Sequence, residues 1–141
     1  MAMAAIEDLE LCSVDIISAF MNGDLDEEIY MKQLEGFHID GGSNKVCRLH
    51  RSLYGLKQSA QQWNKKLHSV LTELRFKHIE SDHSVYIYCN GEVHIIVPIY
   101  IDNITIASKS PATIDKYVQL LSQYFKCRDL GATRFLLCIA V

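Results

Sequence analysis

The sequence predicts an α+β fold in the order strand, helix, two hairpin strands, helix, strand. This is the split-βαβ arrangement, an antiparallel sheet with two helices on one face. Three observations carry it. Apolar residues at 56, 60, 63, 67, 70, 71 and 74 recur at the spacing of one helix face. Asn90-Gly91 separates two apolar runs, a strong hairpin signal. Ser110-Pro111 opens a second amphipathic run carrying Ile114, Tyr117, Val118, Leu121 and Phe125.

Taken along the chain, Leu11–Ile17 is a short, mostly apolar strand with one acid, Asp15, near its end. Asn22-Gly23-Asp24 is a turn, and Asp26-Glu27-Glu28 suits the first turn of a short helix, where carboxylates face the positive end of the dipole. Asp40-Gly41-Gly42-Ser43-Asn44 is a loop. The helix from Leu56 runs about five turns. Three strands follow, Val85–Tyr88, Val93–Ile101 and Ile104–Ala107, interrupted by Asn90-Gly91 and by Asp102-Asn103. Pro98 lacks a ladder donor and points to a strand edge or a bulge. After the second helix, Phe135–Val141 is apolar enough for a closing strand.

A length of 141 residues suits one domain, and 49% apolar content is enough for a core. No apolar run approaches the roughly 20 residues a bilayer span requires. The first residues meet acid at Glu7-Asp8 with no basic segment before it, so a protein that is intracellular, not secreted, is expected, with cytoplasm and nucleus left open. Five cysteines at irregular spacing then read as reduced thiols, mostly in or near the core. Cys47-x2-His50 and His78-x4-His83 have the outline of zinc ligand pairs. The second pair lacks cysteine and the gap of 27 residues is wide for a finger, so no zinc site is expected.

The net charge of −3 conceals a segregation. Residues 1–44 hold ten acids against Lys32 alone, residues 45–66 hold six bases and no acid, and the remainder is balanced. The basic block includes Lys45, Arg48, Arg51, Lys57, Lys65 and Lys66. It suits a polyanion partner, or equally a solvated helix face. Two acids sit where strands end, Asp15 and Asp102. In a split-βαβ sheet the first strand lies beside the hairpin strands, so these carboxylates can converge in the manner that suits Mg²⁺. Asp102-Asn103 is also a good turn dipeptide in its own right.

Four segments narrow the choice. Asp15-Ile16-Ile17-Ser18-Ala19-Phe20-Met21-Asn22-Gly23-Asp24-Leu25 resembles the first catalytic motif of Ty1/copia-type retrotransposon reverse transcriptases. Ser52-Leu53-Tyr54-Gly55-Leu56-Lys57-Gln58-Ser59 resembles the second, with Trp63 at its usual place. Tyr100-Ile101-Asp102-Asn103 is similar to the third, normally Tyr-x-Asp-Asp. Asp129-Leu130-Gly131 with Phe135-Leu136 is similar to the segment that closes the palm. In this order and spacing the motifs are highly specific, and the resemblance covers essentially the whole chain.

The resemblance implies a split-βαβ, ferredoxin-like polymerase palm over residues 1–141, part of an RNA-directed DNA polymerase performing two-metal nucleotidyl transfer. It assigns Asp15 and Asp102 as catalytic and metal-holding, with the backbone carbonyl of Ile16 as a further Mg²⁺ ligand. Phe20 matches the aromatic that abuts the sugar of the incoming nucleotide, and is equally suited to a core. Lys57 and Gln58 match positions near nucleotide and template. Trp63, on the apolar face, reads as core. The implied partners are an RNA or DNA template–primer and a deoxynucleoside triphosphate, with no membrane.

The chain also departs from the pattern. Asn103 stands where the family has its second hairpin aspartate, which reduces three carboxylates to two. Leu34 replaces the usual proline of the Gln-Pro-Glu-Gly-Phe segment and frees a turn, and Cys138 stands where glycine is common. Fingers, thumb and RNase H segments are expected to be absent from a chain of this length. These departures predict a degenerate, inactive polymerase fragment with weak Mg²⁺ binding or none. The alternative is a non-catalytic α+β module that binds nucleic acid or a protein partner, with salt-dependent RNA binding centred on residues 45–66.

Overall fold

A computed structural model describes residues 2–37, 45–136 and 139–140. The expected loop at 40–44 and Cys138 lie outside the described residues. The chain forms two compact units, one of Met1–Ala19 with Leu67–Val141 and the other of Phe20–Lys66.

The larger unit begins with a one-and-a-half-turn helix, α1 (Ala2–Glu7), and then β1 (Glu10–Ile16). In β1, Val14 and Ile16 are fully buried while Ser13 and Asp15 are only half-buried. That alternation is what a strand with one face on a core requires. Helix α2 (Ser59–Glu73) begins in the smaller unit and buries Leu67, Val70 and Leu71 in the larger one. It starts at Ser59 rather than Leu56, because the preceding turn folds the chain back and the Ser59 hydroxyl donates to the carbonyl of Leu53.

Past α2 come β4 (Lys77–His78), β5 (Val85–Asn90), β6 (Val93–Tyr100) and β7 (Asn103–Ser108). Gly91 takes φ +62° at the Asn90-Gly91 turn, the conformation that makes glycine the favoured residue there. α3 (Pro111–Ser122) is capped by Ser110, whose hydroxyl accepts from the Thr113 N–H. It lies against β7, β1 and β8 (Cys127–Ala132) and buries Ile114, Tyr117, Val118 and Leu121. These strands make one six-stranded antiparallel sheet in the order β4-β5-β6-β7-β1-β8.

A short 3-10 turn, Ala19–Asn22, leads into the smaller unit's β2 (Asp24–Lys32), which pairs with β3 (Val46–Arg51) as a separate two-stranded sheet. The acids expected to start a helix, Asp26-Glu27-Glu28, therefore lie in a strand. Their partner strand begins 14 residues beyond the end of β2, out of reach of a local reading. Leu34 does not free its turn: the Phe37 N–H donates to the Leu34 carbonyl at 3.0 Å, and Gly36 takes φ +81°.

Two further expectations are corrected. The sheet is closed by β8, while among the described residues β9 (Phe135–Leu136) and β10 (Ile139–Ala140) pair only with each other. All but the first residue of β8 are exposed, so as an edge strand it carries no apolar alternation to read. Pro98 lies on neither an edge strand nor a bulge; it is at the last rung of the β5–β6 ladder, opposite Val85. Among the described residues no helix is long and apolar enough to cross a membrane.

Candidate functional site

Tyr100 and Asn103 form the last rung of the β6–β7 ladder, which leaves Ile101 and Asp102 as a two-residue turn. Of the two, Ile101 alone has a positive φ, at +57°. That is the II′ pattern, in which glycine is favoured at the first position. A β-branched residue there is strained, and such strain survives where the surrounding structure over-determines it, as it does at many functional sites. Here the two ladders flanking β7 supply the constraint.

The β1–β7 register places Asp15 directly opposite Asn103, and the Ile16 N–H donates to the Asp102 carbonyl at 2.9 Å. The backbone thus brings Asp15 and Ile16 on β1 and Asp102 in the adjoining β6–β7 turn to one end of the sheet. Directly opposed residues share a face, so Asp15 and Asn103 lie on the same side as Arg128, which is opposite Asp15 on β8. Both Asp15 and Asp102 are half-buried. The Asn103 side-chain amide donates to Asp102 Oδ1 at 3.2 Å, so the residue replacing an aspartate occupies one lone pair of the carboxylate it accompanies. Beside the turn is a cleft of about 470 Å³, lined by Pro98, Ile99, Tyr100, Thr105, Leu130 and Phe135 among others.

Phe20, Lys57 and Gln58 belong to the smaller unit. Phe20 is half-buried in the 3-10 turn, with its ring 4.6 Å from that of Tyr54, and its carbonyl accepts from the Ser52 hydroxyl. Lys57 is exposed in the turn before α2. Gln58 is half-buried and lines a hollow of about 120 Å³ with Asp26, Gln62 and Lys65. Trp63 is buried, as expected of a core residue.

Charge in this unit is distributed by pairing. Lys65 meets Asp26 at 2.8 Å, Lys66 meets Asp24 at 3.1 Å, and Arg48 meets Glu28 at 2.7 Å. Half of the basic block is thus matched by acids of β2. The Lys65 ammonium, and next the Gln62 amide, hold the Asp26 carboxyl below its ordinary range.

Among the described residues the histidines and cysteines form no metal-binding cluster. The His78 and His83 rings are 4.5 Å apart and His68 is 5.6 Å from His78, yet no three His, Cys, Asp or Glu side chains are placed to hold a metal among the described residues. Cys12, Cys47, Cys89 and Cys127 are free thiols. Burial, then the neighbouring Asp129 carboxylate, pushes the Cys12 thiol up to about 11, which makes it unreactive.

Residues 1–141 match the family described as reverse transcriptase (RNA-dependent DNA polymerase). The chain belongs to this family. The retrovirus-related Pol polyprotein from transposon TNT 1-94 of Nicotiana tabacum is 40% identical over 138 residues, covering 97% of the chain and 10% of that protein. The Pol polyprotein from transposon RE1 of Arabidopsis thaliana is 33% identical over 116 residues, 82% of the chain and 8% of its own length. A transposon Ty5-1 protein of Saccharomyces cerevisiae is 32% identical over 118 residues, 84% of the chain and 38% of its length. The chain is therefore a reverse transcriptase domain of the Ty1/copia type, and it spans well under half the length of each of these relatives.

Within this reverse transcriptase domain, three residues matter that motif reading did not assign. Arg128 is a cation opposite Asp15, one residue before the recognised Asp129-Leu130-Gly131. Gly23 was legible only as a turn; a Cβ there would stand 2.9 Å from Ser52 Oγ and from the Trp63 nitrogen. Ser52, fully buried, ties the first motif to the second through its hydroxyl bond to Phe20 and its N–H bond to Gly23. Only the folded chain brings these positions together.

Proposed function

We propose that this domain is the palm of a copia-type RNA-directed DNA polymerase whose metal site is reduced, so that it engages template–primer and nucleotide without sustaining polymerisation. The strand order β8-β1-β7-β6, with one helix between β1 and the hairpin and one between β7 and β8, supports the split-βαβ palm. Asp15, Asp102 and the Ile16 carbonyl are oxygen donors of the kind Mg²⁺ takes, usually one or two carboxylates with substrate phosphates. When bound, Mg²⁺ supplies activation of an attacking hydroxyl and stabilisation of a leaving pyrophosphate. Phe20 borders the nucleotide sugar, and Lys57 and Gln58 attend nucleotide and template. Such substrates place the protein inside the cell.

The observation that carries the inactive reading is Asn103. Its amide contributes no charge and binds Asp102 where a carboxylate would share the cation. The test is Mg²⁺ titration of the purified chain, read by thermal melting and by nucleotide incorporation on a primed RNA template. The wild-type chain should show little stabilisation and no incorporation. Asn103→Asp should tighten Mg²⁺ binding by about tenfold, the low end of what a supporting group contributes at a metal site. Asp15→Asn in that background should remove the gain. Incorporation by the wild-type chain, or a gain indifferent to Asp15, overturns the reading.

A further inference from the structure

The β2–β3 ladder pairs Asp24 with Arg51 and Ile29 with Leu49, so five steps on β2 face only two on β3. The three surplus residues lie between Asp24 and Ile29, and irregularities of this kind re-aim side chains out of the ladder. The displaced stretch holds Asp26 and Glu28. Asp26 accepts from both Gln62 Nε2 and Lys65 Nζ at 2.8 Å, Asp24 accepts from Lys66 Nζ at 3.1 Å, and Glu28 pairs with Arg48 at 2.7 Å. Gln62, Lys65 and Lys66 stand at i, i+3 and i+4 of α2 and so share one face. Gln58, one turn earlier, lines the same hollow. Every charged partner in these pairs is about half exposed, and such pairs are weak and easily screened.

We propose that Lys65, Lys66 and Arg48 form a phosphate track for single-stranded nucleic acid, held covered by Asp26, Asp24 and Glu28, and that the strand binds by exchanging these carboxylates for its own phosphates. The inference rests on the nucleic-acid reading above and adds where the strand lies and what restrains it. Exchange has a measurable consequence. A lysine that leaves a carboxylate for a phosphate releases no net counterion, whereas a lysine without a partner does. Uncovering two lysines therefore steepens the salt dependence of binding by about 0.7 per contact, or about 1.4 in all.

The test is fluorescence anisotropy with a labelled 20-mer of single-stranded RNA over a salt series, using the full chain with folding checked by circular dichroism. Asp24→Asn/Asp26→Asn should bind about fivefold tighter at low salt with the steeper slope. Glu27→Gln/Glu35→Gln removes the same charge from acids with no ion pair among the described residues, and should change the slope by nothing measurable. Lys65→Gln/Lys66→Gln should weaken binding, and this arm stands if the aspartate variant does not fold. Equal gains from both acid pairs, or an unchanged slope in Asp24→Asn/Asp26→Asn, overturn the covered track while leaving the nucleic-acid reading intact. Absence of RNA binding by every chain overturns both.

Discussion

In the larger unit, Val14, Ile16, Ile104 and Ile106 are completely buried, and an unbroken β1–β7 ladder, with β8 and β6 paired outside it, holds Asp15 opposite Asn103. In the Phe20–Lys66 unit the described buried residues are Gly23, Ser52, Ser59, Gln62 and Trp63, of which only Trp63 is a large apolar side chain. Its order rests on single polar contacts: the Ser52 hydroxyl on Phe20, the Ser59 hydroxyl on Leu53, and three exposed ion pairs. Apolar burial is distributed over area and is not weakened by charge screening. Point contacts fail one partner at a time and respond to ions and protons. The acids proposed to hold metal are on the first kind of scaffold, and the cations proposed to change partners are on the second.

The largest blow to this contrast is Ile106→Ala. Ile106 is fully buried in β7, and its truncation should cost about 2–5 kcal/mol, measured as a fall in the urea midpoint with an unchanged slope. A loss below about 1 kcal/mol means that the ladder, not the core, holds the acids in place. Next comes Gly23→Ala. Its Cβ would sit 2.9 Å from the Trp63 nitrogen and 3.0 Å from the Gln62 carbonyl carbon, and backbone does not yield as a side chain does. The expected cost is about 1–3 kcal/mol, with amide hydrogen-exchange protection lost over β3 and the start of α2 and retained in β1 and β7. Uniform loss across the chain would erase the distinction between the units.

The smallest effect is one of pH. Because Lys65 and Gln62 lower the folded-state pKa of Asp26, the folded form takes up a proton less readily than the unfolded one. Asp26 therefore contributes its stabilisation above the unfolded value of about 3.9 and loses it as pH falls through the lowered folded value. Following the Asp26 carboxyl and the Gln62 side-chain amide by NMR should show them titrating together below about pH 4. A Gln62 amide that titrates near neutral pH instead would show that Asp26 is not its partner.

Several of these features were legible early because their signals are local. The Asn90-Gly91 turn, the Ser110-Pro111 cap and the alternation of β1 each need only a few consecutive residues. The β2–β3 sheet is hidden from a local reading because Asp26-Glu27-Glu28 carry the composition of a helix start, and only the distant strand 46–51 makes them a strand. β8 is likewise hidden, because an exposed edge strand has no buried face to pattern. For the candidate site, Asp15 and Asp102 were readable from their places at strand ends. Arg128 was not, because nothing in its neighbours states which strand it lies against.

The sequence by itself determined the family, the two principal helices, the central hairpin and the identity of the acid at its turn, since these depend on residue type and short-range spacing. Tertiary structure alone decided that Asp15 faces Asn103, that Gly23 has no room for a side chain, and that an acidic segment and a basic block are partners. Register, close approach and ion pairing are set by residues far apart in the chain. Charge that is segregated along the sequence can therefore be partly neutralised in space.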